Sequence, residues 1–479
     1  MNPKRIAKTA VFLLAGVIAV GVSLYAIGLR IVLDGGGGVH LAFPQSADKR
    51  AEDIAKHREA QKAQAPAVAP PESHPVVESA SPTVTPATEV ATSSTDWTDF
   101  RGPARDGHYR QRAIRTDWST SLKPLWKQPV GGGYASFVIA HGRAFTIEQR
   151  GTQELAAAYD VRSGRELWTN TWQALFQESM GGDGPRATPT WHEQRLYVLG
   201  ATGELRALDA ASGKTIWRTN ILEDAGAKNI QWGMSASPLI VDDTVVVLPG
   251  GTEAQSVVAY DAATGKRRWA ALDDRASYSS PTLATFDGVR QIVGFTATRL
   301  VGLSSERGEL LWEFPWKTQY DVNASQPLIE GNRVFISTGY GSGAVMIEVT
   351  RGTNARFTVR ELWRTNRMKN QFTSSVLHDG HIYGLDESIL ACLDAGTGEL
   401  KWKGGRYGYG QVLLASGHLI VLTEQGELAL VRATPERHVE VARFPAIEGK
   451  TWNHPAMSDG FLLIRNTNEM AAFDLRKQD

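Results

Sequence analysis

Residues that commonly carry chemistry are sparse in this sequence. A single cysteine, Cys392, excludes an internal disulfide, a cysteine-rich zinc site and a CxxC redox pair. It lies in an apolar stretch where sibling segments carry alanine, which favours a small buried side chain over a reactive thiol. The histidines lack metal-ligand spacing, and His378 and His381 flank a turn at Asp379-Gly380. The sequence therefore predicts neither a disulfide framework nor a metal centre.

Charged side chains that could bind a ligand are also few. Arg186 could hold a carboxylate as a planar bidentate donor, although the pattern favours a structural bond to neighbouring loops. A Ca²⁺ site needs several converging oxygen ligands. The loops that lead into the first strand of each repeat are expected to cluster at one mouth of the fold. Their acidic candidates are Asp183 and Asp321, and Asp321 is better interpreted as a loop cap than as a catalytic base. No catalytic residue is predicted.

Aromatic side chains are what these loops contain most. Tyrosine and tryptophan are enriched at recognition hot spots, and Gly405–Gly410 (GRYGYG) gives two of the tyrosines backbone freedom. Packing within a central funnel is the alternative role for each ring. The candidates for binding a ligand or partner are Tyr134, Arg186, Trp232, Tyr278, Phe372, Tyr407, Tyr409 and Trp452.

The elements that must position these loops are repeated hairpins. Leu205–Trp217 contains a short apolar strand, an Asp-x-x-Ser-Gly turn and a second strand that ends in tryptophan. Aspartate can cap turn amides, glycine provides the positive φ of a tight turn, and tryptophan can wedge between sheets. Related segments are Leu155–Trp168, Val257–Trp269, Leu300–Trp312 and Leu390–Trp402.

The spacing of the repeats predicts a β-propeller. The repeat-ending tryptophans recur about every 40 to 50 residues, the length of a four-stranded blade. Two degenerate units follow, and the last of them, Asn453–Leu475, has three strands. The isolated strand at Pro124–Lys127 can supply the fourth, which closes a ring of eight blades. The alternative is seven blades, with one of these segments left unpaired.

The N-terminal region predicts an anchor and a tether. Thr9–Leu29 is uncharged and long enough to span a bilayer as a helix. Basic residues precede it, which places the N-terminus in the cytoplasm; a cleaved signal peptide is the alternative. Ser46–Gln64 could be a short helix within a solvated stalk. The predicted organisation is a cytoplasmic tail (1–8), a transmembrane anchor (9–33), a disordered Pro/Ala/Ser/Thr-rich tether (34–95) and the propeller (96–479).

The repeats resemble the pyrroloquinoline-quinone (PQQ)-type propeller family, whose signature is A-x-D-x-x-T-G-x-x-x-W. Val258–Trp269 and Ala391–Trp402 match it closely, and Trp97–Gly107 (WTDFRGPARDG) looks like the opening segment of many exported or membrane-anchored members. The resemblance implies an all-β, eight-bladed, quinoprotein alcohol dehydrogenase-like fold. It implies no single function, because fold alone does not determine chemistry.

Two functional branches follow from this resemblance. Quinoprotein dehydrogenases bind PQQ and Ca²⁺ on the propeller axis, and Arg186, Trp232 and Asn323 would be the candidates for contacting such a cofactor here. Their vicinal disulfide cannot form with one cysteine, and no site for PQQ or Ca²⁺ is recognisable. The other branch is non-enzymatic and includes the periplasmic propeller of the outer-membrane assembly machinery.

The function expected from the sequence is a non-enzymatic binding scaffold outside the cytoplasm. It would be held at the bacterial inner membrane through residues 9–29, with its propeller in the periplasm. The partner would be an envelope protein or peptide, in outer-membrane protein assembly or cell-envelope organisation. Lys+Arg and Asp+Glu both total 51, so no charge excess argues for nucleic acid. The alternatives are a PQQ-dependent alcohol or sugar dehydrogenase with a divergent site and a glycan-binding propeller.

Overall fold

Short elements precede the repeats. The computed structural model describes residues 20–24, 26, 29–33, 39–42, 47–64, 95–118 and 122–477. Strand β1 (Arg30–Leu33) pairs antiparallel with β2 (Val39–Ala42), helix α1 covers Ala47–Gln64, and β3 (His108–Tyr109) and β4 (Trp126–Pro129) follow. None of the helices in these described segments has the length and apolar character needed to cross a membrane. Most of the predicted span at 9–29 lies outside the described residues. The part of the predicted tether at 65–94 lies wholly outside them.

Each repeat forms an antiparallel sheet, or blade, in chain order. Blade 1 contains β5 (Val138–Ala140), β6 (Arg143–Arg150), β7 (Gln153–Asp160) and β8 (Glu166–Gln173). Blade 2 contains β9 (Thr190–His192), β10 (Arg195–Leu199), β11 (Glu204–Asp209) and β12 (Thr215–Asn220), and the short helix α2 (Ile221–Asp224) follows. Blade 3 contains β13 (Leu239–Val241), β14 (Thr244–Val247), β15 (Val257–Asp261) and β16 (Arg267–Ala271). Blade 4 contains β17 (Thr282–Phe286), β18 (Val289–Phe295), β19 (Arg299–Ser304) and β20 (Leu310–Pro315).

The second half of the chain completes the ring. Blade 5 contains β21 (Leu328–Glu330), β22 (Arg333–Thr338), β23 (Gly343–Arg351) and β24 (Phe357–Thr365). Blade 6 contains β25 (Val376–His378), β26 (His381–Asp386), β27 (Ile389–Asp394) and β28 (Leu400–Arg406). Blade 7 contains β29 (Gln411–Ala415), β30 (His418–Leu422), β31 (Glu427–Arg432) and β32 (Glu440–Pro445), with β3 added in parallel to β29. Blade 8 contains β33 (Ala456–Ser458), β34 (Phe461–Arg465) and β35 (Glu469–Asp474).

The N-terminal strand β4 closes the ring as predicted. It pairs antiparallel with β35, so blade 8 combines strands from both ends of the propeller. The prediction of eight blades with this closure is confirmed. First strands of adjacent blades contact one another, for example β33 with β5 and β5 with β9, so they line the central axis.

The repeat motif links each blade to the next. In Val257–Trp269, the Asp261 carboxylate accepts hydrogen bonds from the backbone N–H and hydroxyl of Thr264, both at 2.7 Å. Gly265 has φ +71°, and a Cβ there would lie 2.7 Å from the ring of Trp217, the tryptophan of the preceding blade. The indole N–H of Trp217 in turn donates to the Ala262 carbonyl at 2.9 Å. The motif's aspartate, glycine and tryptophan therefore have structural roles, as the sequence predicted.

Helix α1 packs on the propeller at the junction of blades 8 and 1. Arg58 is 4% exposed, and its guanidinium donates to the Gln128 side chain at 2.9 Å and to the Pro129 carbonyl at 2.8 Å. It also lies 3.3 Å from the Glu166 carboxylate, and Ile54 is buried. The predicted helix is confirmed, but the prediction of a solvated stalk is wrong for this segment. Helix α1 therefore bonds to the closing strand β4 and to β8 of blade 1.

Candidate functional site

Hydrogen bonds between blades fix the loops that enter the first strands. The backbone N–H of Thr188 donates to the Ser237 hydroxyl at 3.0 Å, and that of Ser237 donates to the Ser280 hydroxyl at 2.9 Å. Ser136 bonds to Thr188, and Gln326 to Ser374, in the same manner. The small polar residues that precede the first strands thus join neighbouring blades around the axis. The loops before them are held at one end of the ring.

These loops surround a cavity of about 410 Å³, here called the mouth cavity. It receives side chains from the connections between blades all around the ring, so the prediction that these loops cluster is confirmed. Most of its wall is apolar or aromatic, which is typical of a ligand pocket. The lining residues are Phe100, Tyr134, Met180, Gly181, Arg186, Trp232, Ser235, Ser237, Tyr278, Ser280, Val322, Ala324, Tyr340, Gln371, Phe372, Gln411, Trp452 and His454.

The aromatic rings form two groups on the cavity wall. The ring of Trp452 lies 4.5 Å from that of Phe372 and 5.3 Å from that of Tyr134, measured between centroids. The second group pairs Trp232 with Tyr278 at 5.6 Å. Within each group the rings pack against one another and so fix their orientations. Their surfaces that face the cavity remain available to contact a ligand.

Two cations flank the ring of Tyr134 at the rim. The Arg186 guanidinium lies 5.6 Å from the centre of that ring, and the Lys450 ammonium 6.0 Å from it. Arg186 donates to the carbonyls of Gly182 and Gly184, which is the structural role favoured by the sequence. Lys450 donates to the Met180 carbonyl at 3.3 Å. Desolvation lowers the pKa of both cations below their ordinary values.

The floor of the cavity is formed by residues 97–109, here called the axial plug. Trp97 exchanges two backbone hydrogen bonds with Ile139 of blade 1, at 2.7 and 2.8 Å. The Phe100 ring lies 5.8 Å from that of His454. The plug then returns as β3 along blade 7. Its flanking residues bond to turns that follow first strands, for example Asp96 to the His141 N–H, so the plug enters from the end opposite the mouth.

Two buried arginines fix the axial plug. Arg105 donates to the Pro281 carbonyl at 2.8 Å and to the Thr190 hydroxyl at 3.2 Å, and it also bonds to the Pro238 carbonyl. It therefore joins blades 2, 3 and 4. Arg101 donates to the Ser375 carbonyl beside blade 6 at 2.5 Å, and burial lowers its pKa to about 10. The channel is closed at this end.

Six of the predicted ligand-binding side chains line the mouth cavity, and two do not. Tyr134, Arg186, Trp232, Tyr278, Phe372 and Trp452 form its wall. Tyr409 stands behind it, with its ring 5.4 Å from that of Phe372. Tyr407 is 2% exposed, and its hydroxyl donates to the Glu440 carboxylate at 2.6 Å. Its placement at the mouth was wrong, because its side chain packs between blades 6 and 7.

The other polar candidates take structural roles. Asn323 is fully buried, donates to the Thr296 carbonyl at 2.8 Å and accepts from the Thr338 hydroxyl at 3.0 Å. It does not line the mouth cavity. Asp321 forms an ion pair with Arg275 at 2.5 Å.

Several residues in or beside the cavity had no separate prediction. Tyr340 lies between the second and third strands of blade 5, whereas the predicted residues lie in loops before first strands. Phe100 belongs to the WTDFRGPARDG motif, which served only as a family signature. Lys450 neighbours a predicted aromatic residue, Trp452, and its ammonium lies 4.2 Å from that ring's centre. The sequence signal that could have identified Lys450 is its position two residues before Trp452.

A family model described as "Outer membrane protein assembly factor BamB" matches residues 151–404, more than half of the chain. The chain belongs to this family. The predicted resemblance to PQQ-type propellers is thereby confirmed.

Relatives of this BamB-family chain include both branches anticipated from the sequence. It is 23% identical over 267 residues to outer membrane protein assembly factor BamB of Burkholderia pseudomallei, a match covering 48% of this chain and 68% of that protein. It is 32% identical over 120 residues to quinohemoprotein alcohol dehydrogenase of Comamonas testosteroni, covering 23% of this chain but 16% of the enzyme. The enzyme match is thus confined to a small part of that protein.

Solved structures of both kinds share the fold. BamB from Moraxella catarrhalis superimposes with a TM-score of 0.53 at 14% identity, covering 74% of this chain and 99% of that one. Quinohemoprotein alcohol dehydrogenase from Comamonas testosteroni gives 0.58 at 14% identity, covering 81% and 82%. At this identity the similarity establishes the propeller architecture.

The donor groups of this BamB-family cavity do not fit a calcium–quinone pair. Calcium requires several oxygen ligands, mainly carboxylates and carbonyls, and the described lining residues include neither aspartate nor glutamate. Among the described residues, no three His, Cys, Asp or Glu side chains converge as a metal site. Cys392 is buried within blade 6, and desolvation raises the pKa of its thiol to about 12.

Proposed function

We propose that this chain is a non-enzymatic scaffold whose mouth cavity binds an extended segment of polypeptide during outer-membrane protein assembly. The observation that carries the proposal is the blind aromatic cavity, which receives side chains from connections all around the ring. Membership of the BamB family and the names of its relatives support a role in outer-membrane protein assembly. The floor formed by the axial plug favours insertion of side chains over passage of a chain through the ring.

The size and lining of the cavity suit the side chains of a polypeptide. Its volume of about 410 Å³ accommodates a small number of side chains at a time. The rings of Trp452, Phe372, Trp232 and Tyr278 offer apolar faces. The polar side chains of Gln371 and Ser235 also line the cavity and can exchange hydrogen bonds with a bound main chain. This combination of aromatic anchors with a few polar groups is typical of recognition sites.

The proposal includes anchorage of the propeller in the bacterial inner membrane. Thr9–Leu29 carries no charge over the length that a membrane-spanning helix needs. Val20 and Val22, in the described part of this segment, are 59% and 63% exposed, as expected of side chains that would face lipid. The N-terminus would be cytoplasmic and the propeller periplasmic. Residues 65–94 would act as a tether that leaves the folded domain free to approach its partners.

Peptide binding to the purified full-length chain tests the proposed function. Fluorescent peptides that together cover the sequence of an outer-membrane β-barrel protein would be titrated with the chain, and binding would be followed by fluorescence anisotropy. Because hot-spot aromatics each contribute about 2 kcal/mol or more, Trp452→Ala and Tyr278→Ala are expected to weaken binding by roughly thirtyfold. Trp191→Ala is the matched control, since Trp191 packs on His141 in a turn at the opposite end of the ring.

Two results would contradict the proposed function. One is equal affinity of peptides for the wild type and for Trp452→Ala and Tyr278→Ala. The other is reduction of a redox dye by alcohols or sugars after PQQ and Ca²⁺ are added to the protein, which would identify a dehydrogenase.

A further inference from the structure

The cations at the mouth differ in whether a carboxylate neutralises them. Arg275 lies 2.5 Å from the Asp321 carboxylate, and Lys369 lies 3.1 Å from that of Glu387. Neither Arg186 nor Lys450 forms an ion pair with any residue in the described part of the chain; each donates to backbone carbonyls instead. Through space, the Glu424 and Glu178 carboxylates offset part of the desolvation of Lys450, but neither forms an ion pair with it. A partly buried cation without a directly bonded carboxylate costs free energy relative to a paired one. Its retention at a cavity rim therefore points to an external anion.

The neighbouring carboxylates already bond to other donors. Glu178 accepts hydrogen bonds from the backbone N–H groups of Met180 and Gly181. Glu424 accepts from the Trp452 indole N–H at 2.9 Å and from the Tyr409 N–H at 3.2 Å. These two carboxylates hold the loops and the aromatic wall, and they leave the adjacent cations without direct charge pairing.

The cation pair lies on one side of the mouth cavity. Arg186 and Lys450 both approach the Tyr134 ring, whereas the Trp232–Tyr278 pair lies on a different group of loops. The cavity is thus apolar across much of its wall, and along one part of its rim it has two cations that form no direct ion pair with the described residues. A ligand complementary to both has an apolar body with an anionic group attached to it.

We propose that the mouth cavity selects polypeptide segments in which a carboxylate lies beside an apolar or aromatic side chain. The apolar side chain enters between the aromatic rings, and Lys450, on the same side of the cavity as Arg186, binds the carboxylate. This inference rests on the proposed function and specifies its ligand. The carboxylate can come from a chain's C-terminus or from an aspartate or glutamate side chain, since both present the same group.

Three peptides that share one apolar core distinguish these sources. The first ends in a free carboxylate and has no acidic side chain, the second ends in an amide, and the third has the amide end and one glutamate beside the apolar residue. Because a hydrogen bond to a charged group contributes more than a neutral one, the preferred acidic peptide should bind the full-length chain about tenfold tighter than the neutral peptide. The measured quantity is the ratio of acidic to neutral affinity.

Substitution of Lys450 tests whether that ratio arises at the mouth. In Lys450→Met the ratio is expected to fall towards one, and Lys450→Arg should restore most of it. Lys214→Met is the matched control, because Lys214 is exposed in a repeat turn of blade 2, and it should leave the ratio unchanged. Circular dichroism would verify that each variant is folded.

The outcomes separate this inference from the proposed function. If all three peptides bind wild type with equal affinity, the carboxylate preference is overturned while peptide binding stands. A preference that survives Lys450→Met also overturns it, because the anion must then bind elsewhere. If no peptide binds, the proposed function and this inference both fail.

Discussion

The two ends of the propeller axis are built on the same first strands but differ in what they leave available. At the plug end, Arg101 and Arg105 donate to carbonyls and a hydroxyl of the blades, and the channel is filled. At the mouth end, the rings of Trp452 and Tyr278 face a cavity, and Lys450 donates to a carbonyl and lies over aromatic rings without a direct ion pair to any described residue. One end holds the ring together, and the other presents aromatic and charged side chains to a cavity.

This difference shows how to separate structural from functional residues in a repeat fold. Buried polar groups with complete internal bonding indicate stability, as Arg105 does. Aromatic and cationic groups that are oriented by neighbours yet still accessible indicate recognition. Residue type alone does not distinguish the two, because both ends contain arginine and tryptophan.

The largest expected effect comes from removing Arg105. Arg105→Ala would leave the Pro281 and Pro238 carbonyls and the Asp99 carboxylate without their shared donor. Loss of one partner from such a buried polar network should lower the free energy of unfolding by about 4 kcal/mol. The measurement is urea denaturation of the full-length chain. Arg110→Ala is the control, since its ion pair with Asp106 is exposed and should contribute less than about 1 kcal/mol. Equal losses for the two variants would show that the plug does not fix the ring.

A smaller effect on stability is expected from substituting a repeat tryptophan. Comparing it with a mouth tryptophan separates residues that stabilise the ring from residues that bind a ligand. Trp217→Ala removes the wedge between blades 2 and 3 and should cost about 3 kcal/mol, with peptide affinity unchanged in the folded protein. Trp452→Ala should have the opposite pattern, with a smaller loss of stability and a large loss of affinity. Denaturation and anisotropy on the same preparations check both. A loss of affinity in Trp217→Ala without unfolding would contradict the division of roles.

Much of the fold could be predicted because its determinants are local. Asp261, Gly265 and Trp217 act within one hairpin or between adjacent blades, so their spacing along the chain carries the information. The strand at Pro124–Lys127 had no hairpin partner of its own, which predicted the ring closure. Six mouth residues followed from one topological rule, the clustering of loops before first strands.

The parts that escaped prediction depend on contacts between distant segments. The axial plug requires Arg105 to meet three blades, and nothing near it in the sequence indicates those acceptors. The packing of α1 depends on Arg58 reaching Gln128 across the chain. In GRYGYG, neither tyrosine lines the cavity, because Tyr407 bonds to Glu440 and Tyr409 packs behind Phe372. Tyr340 comes from a different class of loop.

Site-specific crosslinking compares the two ends most directly. Cys392 is buried, so an introduced surface cysteine can be labelled selectively with a photoreactive benzophenone. Ser235→Cys places the label in the mouth cavity, and Arg162→Cys places it in the exposed groove at the opposite end. In cells that express the full-length chain, the label at residue 235 is expected to capture polypeptides and the label at residue 162 is not. Capture from residue 162 with none from residue 235 would contradict the assignment of the mouth as the binding site.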